Sequence, residues 1–168
     1  MIPTLQLVQQ TVHHIDIPVI ASGGLMTGDD IASALRAGAS AVQLGTAFLL
    51  CVEAGTSEAY RRALRASTCA DTTITRAYSG RAARGIRNHF INIVGERDEL
   101  ILPFPIQNSL TRSMRTAAAQ RDRAEYLSLW AGTGVDKIRS LPAGDLVKTL
   151  MRELRNSDPH FETMFASG

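Results

Sequence analysis

The stretch IPVIASGGLMTGDDIASALRAGASAVQLGTAFL, from Ile17 to Leu49, constrains the fold more than any other part of the chain. It holds two short apolar runs without alternation, IPVIA (Ile17 to Ala21) and AVQL (Ala41 to Leu44), and a glycine step follows each, Gly23-Gly24 and Gly45-Thr46. Unbroken apolar runs of this length suit strands buried on both faces, as in a parallel sheet. Pro18 stands at the start of the first run, where a missing N–H is tolerated. Between the runs, Thr27-Gly28-Asp29-Asp30 reads as a helix start. Thr27 caps, Asp30 three residues later completes a capping-box pair, and the two acids suit the positive end of the helix dipole. Ile31, Ala34 and Leu35 form the apolar face, and Gly38 stops the helix. AFLLCVEA (Ala47 to Ala54) then reads as the next helix. The order strand, turn, helix, strand, turn, helix predicts right-handed parallel βα units, hence an α/β fold.

In such a layout both glycine turns lie at the carboxyl ends of their strands. Helix N-termini there offer N–H groups and a dipole that favour an anion, with phosphate the usual guest. Glycine lets the backbone approach that anion closely, and Thr46 adds a hydroxyl donor. Two readings stand side by side on these residues alone: a phosphate site, or a pair of tight βα turns.

The rest of the chain narrows the class. Leu5, Val8 and Val12 recur at helical spacing, so Leu5 to His14 reads as an amphipathic helix preceding the first strand. With 168 residues, 45% hydrophobic and a formal net charge of +2, the chain has core enough for one ordinary globular domain and too mild a charge to imply nucleic acid or an anionic membrane. No segment is long and apolar enough to span a bilayer, and no N-terminal signal pattern is visible, which points to a cytoplasmic protein. Cys51 and Cys69 read as buried or half-buried thiols in helical contexts, outside any metal-ligand spacing. TTIT (Thr72 to Thr75) reads as extended. Arg76, Arg81, Arg84 and Arg87 follow it, either as an anion site or as a solvated loop pairing with the acids from Glu96 to Glu99. Helices are predicted for NSLTRSMRTAAAQ, capped by Asn108 or Ser109, for DRAEYLSLWAG, ending at Gly132, and for PAGDLVKTLMRELRN, with Leu146, Leu150 and Leu154 on one face. Asp158 to Gly168 reads as a tail. His13 and His14 close the first helix, His89 lies in a loop-like stretch and His160 beside Pro159; all four read as surface or packing histidines.

The stretch from Ile17 to Leu49 resembles the last barrel units of the nitronate monooxygenase family, formerly the 2-nitropropane dioxygenases. The resemblance continues through TRAYSGRAARGIRNHFI (Thr75 to Ile91), PFPIQNSLTRSMR (Pro103 to Arg115) and LSLWAGTGV (Leu127 to Val135), four separated stretches in the right order. It implies the C-terminal portion of a TIM (β/α)8 barrel followed by a helical region: residues 1–70 as the last two βα units with an FMN phosphate site, residues 71–168 as a loop and helical region packing on them. It also implies that Ser22, Gly23, Gly24, Gln43, Leu44, Gly45 and Thr46 bind the cofactor, with glycine N–H groups on the phosphate and Gln43 on the ribityl chain or a neighbouring loop. The implied reaction is FMN-dependent oxidation of an alkyl nitronate by O2.

A full barrel of this kind takes about 250 residues. The family's earlier strands, and the Gly-Gly-His segment carrying its catalytic base, would precede Leu5, where only Met1 to Thr4 stand. The expectation is therefore a chain that supplies the flavin phosphate site without a catalytic base. Its exposed sheet edges predict pairing or swapping with a second copy, partial unfolding, or association with a chain carrying the missing strands. Thr133 also stands where the family pattern has glutamine. Two alternatives follow: an inactive remnant or half of a split flavoenzyme acting as a binding module, and an FMN-dependent enoyl or quinone reductase, since such glycine turns are widely shared.

Overall fold

The computed structural model describes residues 2–159, and His160 and the tail beyond it lie outside them. Packing divides the chain into two compact units, one running to Ala54 and resuming at Lys137, the other from Gly55 to Asp136. The first unit is discontinuous because the last helix returns to pack on the helix between the first two strands.

The first unit is a small parallel α/β assembly. Helix α1 (Thr4–Val12) leads to strand β1 (Ile20–Ser22), helix α2 (Gly28–Arg36) and strand β2 (Ala41–Gln43). The two strands pair in parallel, Ile20 with Ala41, Ala21 with Val42 and Ser22 with Gln43. The βα order predicted from the glycine-punctuated stretch is present. The predicted α2 is also present, with both halves of its capping box formed: Thr27 Oγ1 accepts from the Asp30 N–H at 3.2 Å, and Asp30 Oδ2 accepts from the Thr27 N–H at 3.0 Å. Ala34 packs with Val8 of α1 and Ala21 of β1. Helix α7 (Ala143–Ser157) lays Leu146, Leu150 and Leu154 against Ile31, Ala32 and Leu35 of α2, as their spacing predicts.

Two expectations for this unit fail. The strands are not buried on both faces: Ala21 faces the helices at 1% exposure, whereas Ile20 is 62% exposed on the other face. The helices cover one side of the sheet only. Nor does Ala47 to Ala54 form an α-helix. Thr46–Phe48 is a single 3₁₀ turn, and the bonds that follow run from Leu49 N to Thr46 O, Cys51 N to Phe48 O and Ala54 N to Cys51 O, each closing three residues back. Ala47, Leu50 and Cys51 are still buried. Over so short a run, periods of 3.0 and 3.6 bury the same positions.

The second unit is α+β. Helix α3 (Glu58–Ala66) precedes strand β3 (Thr72–Thr75), the extended TTIT, which pairs antiparallel with strand β4 (Ala83–Ile86). The far side of β4 is taken by residues 129–131, with Ile86 N donating to Leu129 O at 2.8 Å and Ala131 N to Arg84 O at 3.2 Å. The helix predicted over DRAEYLSLWAG is thus replaced by one 3₁₀ turn, Ala124–Tyr126, and an extended segment. Leu127, Leu129 and Ala131 alternate as buried residues along it, which is strand spacing. Helix α4 (His89–Gly95) begins where a loop was expected, capped by Asn88, whose side chain accepts from the Ile91 N–H at 3.2 Å. Helices α5 (Ile106–Leu110) and α6 (Arg112–Gln120) follow, and neither start carries the expected Asn108 or Ser109 cap. Cys51 is buried, but Cys69 is exposed in a 3₁₀ turn, contrary to expectation.

Asn88 ties the second unit together. Its Nδ2 lies 2.8 Å from Leu127 O, 3.0 Å from Ala124 O and 2.9 Å from the Tyr78 hydroxyl, so two amide protons serve three acceptors. Tyr78 is fully buried, between Phe90 and Trp130. Burial pushes its phenol up to about 12, against the opposing pull of Asn88 and Arg115.

Candidate functional site

Because Ser22 and Gln43 are register partners at the ends of adjacent parallel strands, the two glycine steps leave the sheet side by side, about one strand spacing of 4.8 Å apart. All seven residues singled out in the sequence, Ser22, Gly23, Gly24, Gln43, Leu44, Gly45 and Thr46, therefore gather at one end of β1 and β2. Ser22, Gly23, Gln43 and Gly45 are exposed there, and Gly24, Leu44 and Thr46 half-buried.

The two steps use glycine for different reasons. Gly23 and Gly24 have φ of 116° and 73°, a backbone region that side chains with a Cβ rarely enter, so the turn itself requires them. Gly45 has φ of −110°, which any residue adopts. A Cβ built on Gly45 would meet nothing within 4 Å. Gly55, Gly95 and Gly144 are equally open, so what sets Gly45 apart is its place beside the Gly23-Gly24 turn. Open space beside a bare backbone is what a ligand phosphate pressed against the turn needs.

The expected contribution of the α2 N-terminus is corrected by the structure. Carboxylates already take the amides at and just before its first residue. Asp30 Oδ2 accepts from Met26 N at 2.9 Å as well as from Thr27 N, and Glu153 Oε2 accepts from Gly28 N at 2.9 Å. Burial opposes the charge on Asp30. The Met26 amide, the Thr27 side chain, the Lys137 ammonium and the Thr27 amide outweigh it and hold the carboxyl below its ordinary value. A helix end neutralised in this way does not hold a second anion. The carboxylates gathered at the α2 terminus turn an anion toward the donors of the glycine turns instead.

Residues that sequence reasoning missed hold this end of the fold in place. The Thr4 hydroxyl, in the first turn of α1, donates to Gly23 O at 2.8 Å. Arg139 forms a two-pronged pair with Glu153, Nη1 to Oε1 at 2.8 Å and Nη2 to Oε2 at 3.2 Å, and so fixes the carboxylate that caps α2. Thr4 precedes its partner by 19 positions and Glu153 follows Gly28 by 125, so no local pattern announces either contact.

Within the first unit, the described histidines stand apart from this arrangement. His13 and His14 lie at the far end of α1 from Thr4, each ring bonded one turn back, to Gln9 O at 2.7 Å and Gln10 O at 2.6 Å. His89 stacks edge-on against Tyr126. The arginines after β3 favour the solvated-loop reading. Arg76 pairs with Asp98 at 3.5 Å, Arg81 lies 4.4 Å above the Phe104 ring, and Arg84 donates to Thr72 Oγ1 at 2.9 Å. The second unit also contains a cavity of about 540 Å³ bounded by Phe90, Ile93, Leu100, Leu110 and Met114. Its buried polar residues are satisfied within the protein: Gln107 Nε2 donates to Ala77 O at 2.6 Å and the Thr111 hydroxyl to Tyr78 O at 2.6 Å. No group of three or more metal-ligating side chains occurs among the described residues, and no described helix is long and apolar enough to cross a membrane.

Comparison with known proteins gives this arrangement a family context. Residues 2–153 match the family model for nitronate monooxygenase. The nitronate monooxygenase of Pseudomonas aeruginosa is 41% identical over 155 residues, which cover 92% of this chain and 44% of that protein. Among solved structures, nitroalkane oxidase from Streptomyces ansochromogenes superposes with a TM-score of 0.88 at 42% identity, covering 95% of this chain and 46% of that one. FabK from Thermotoga maritima superposes with a TM-score of 0.78 at 26% identity, covering 98% and 53%. The chain spans less than half the length of the curated relatives it matches.

Proposed function

Since the chain belongs to the nitronate monooxygenase family, we propose that its paired glycine turns hold the phosphate of FMN, in an oxidoreductase that oxidises alkyl nitronates with O2. The observation that carries this reading is Gly45, a glycine that the chain's own backbone and packing do not require, beside the left-handed Gly23-Gly24 turn. The amides of the two turns donate to phosphate oxygens, where each bond is strengthened by the ligand's charge. The Thr46 hydroxyl adds a further donor. Ser22 and Gln43, register partners on the exposed sheet face, reach the ribityl hydroxyls, and Leu44 covers the strand end between them. When bound, FMN accepts electrons from the substrate and returns them to O2. The part played by this chain is to bind and orient the cofactor.

The same reading makes β1 and β2 the last strands of a (β/α)8 barrel, with residues 71–168 as its helical region. The bare sheet face supports it: Ile20, at 62% exposure, is an apolar position that a parallel sheet normally covers. It also favours a second reading, in which the chain is a binding module completed by a polypeptide carrying further strands.

A flavin titration tests the proposal. Purified chain is titrated with FMN and with riboflavin, following quenching of flavin fluorescence. FMN is expected to bind at least about tenfold more tightly, since even one charge-assisted hydrogen bond to phosphate contributes about 1.5 kcal/mol. Equal affinity for the two flavins, or no binding of either, refutes the phosphate assignment.

A further inference from the structure

We propose that Thr4 is a positioning residue for this site, aiming the Gly24 amide at the cofactor phosphate; the inference rests on the FMN reading above. Gly23 and Gly24 are consecutive glycines with positive φ, and neither has a side chain to limit the turn. A phosphate-binding amide must nonetheless point in one direction before the ligand arrives, or ordering it costs affinity. The constraint comes from outside the turn. Helix α1 runs back along β1, which brings its first residue to the carboxyl end of that strand, and the Thr4 hydroxyl donates to Gly23 O at 2.8 Å. A Cβ placed on Gly23 would lie 3.3 Å from that same oxygen, so the two residues are in close contact.

The consequence follows from peptide geometry. The Gly23–Gly24 bond is trans and planar, so its carbonyl and its N–H point in opposite directions. Tying the carbonyl to Thr4 turns the Gly24 N–H away from α1. Valine at position 4 keeps the shape of threonine and removes the donor, and serine keeps the donor.

The test compares wild type, Thr4→Val and Thr4→Ser in two measurements. In the first, Thr4→Val is expected to bind FMN about fivefold more weakly, the effect of one neutral hydrogen bond, with riboflavin affinity unchanged and Thr4→Ser close to wild type. A merely structural role would weaken both flavins together. In the second, amide exchange by NMR on flavin-free protein, Thr4→Val is expected to speed exchange at Gly24 while α2 and α7 keep wild-type protection. Wild-type FMN affinity in Thr4→Val, equal loss of both flavins, or unchanged exchange at Gly24 overturns the role of Thr4. Wild-type protein that fails to bind FMN overturns the flavin reading itself, and the role of Thr4 toward phosphate with it.

Discussion

Replacing Gly28 with alanine is expected to destabilise the protein by about 3 kcal/mol or more, against the usual sign of glycine-to-alanine changes in helices. Gly28 is the first residue of α2 and is not among the glycines with positive φ. Helix propensity alone favours alanine, by less than about 1 kcal/mol at a terminal position. Packing opposes it. A Cβ on Gly28 would stand 2.3 Å from Glu153 Cβ, 2.3 Å from Leu154 N and 2.6 Å from Glu153 C. Two of these neighbours are backbone atoms of α7, so no side-chain rotation relieves the clash. The helices must part by about 1 Å, and overpacking of this kind costs about 1–3 kcal/mol. Separation also stretches the 2.9 Å bond from Gly28 N to Glu153 Oε2, and a bond to a charged group contributes about 1.5–3 kcal/mol. It loosens Leu146, Leu150 and Leu154 against α2 as well. Urea denaturation followed by circular dichroism measures the total. For a chain of this size the corresponding fall in Tm is about 6–12 °C, at about 2–4 °C per kcal/mol. A Gly28→Ala protein as stable as wild type, or more stable, would refute the claim that α2 and α7 meet at this glycine.

Two further outcomes follow from named groups. Asp30 has a folded value below its ordinary one, so it stabilises the fold above the unfolded aspartate value of about 3.9 and that stability is lost as pH falls through the folded value. In acid titrations of stability, Asp30→Asn is expected to flatten the loss below about pH 4, and an unchanged acid limb would contradict the assignment. Asn88→Ala removes a helix cap and strands the carbonyls of Ala124 and Leu127, at a cost of about 3 kcal/mol. Asn88→Asp keeps the cap acceptor but not the donors and is expected to fall between the two in urea denaturation; equal stability of Asn88→Asp and wild type would count against the donor role.

The legible parts of the fold were those whose cause is local. Thr27 and Asp30 announce α2 because both partners of the cap lie within four residues. The leucines of α7 announce their buried face because fifteen residues give enough turns to fix a helical period. The glycine steps mark strand ends for the same reason. Illegible parts depended on distant partners or on runs too short to define a period. Ala47 to Ala54 satisfied helical and 3₁₀ spacing equally. Residues 127–131 carried an alternation that apolar content concealed, and their extended form is set by pairing with β4, more than forty positions earlier in the chain. At the site, the turn residues were readable as a group. What was not readable was that Glu153 takes the Gly28 amide, or that Thr4 braces Gly23, since both depend on how helices pack against one another and against the strand ends.

The central claim is that bare backbone at Gly45 exists to admit a phosphate, and FMN affinity of Gly45→Val tests it most directly. With φ of −110° and open space where a side chain would stand, valine is expected to leave stability within about 0.5 kcal/mol of wild type. It is expected to weaken FMN at least about tenfold, a loss of about 1.4 kcal/mol. A Gly45→Val protein that keeps both its stability and its wild-type affinity for FMN would contradict the account.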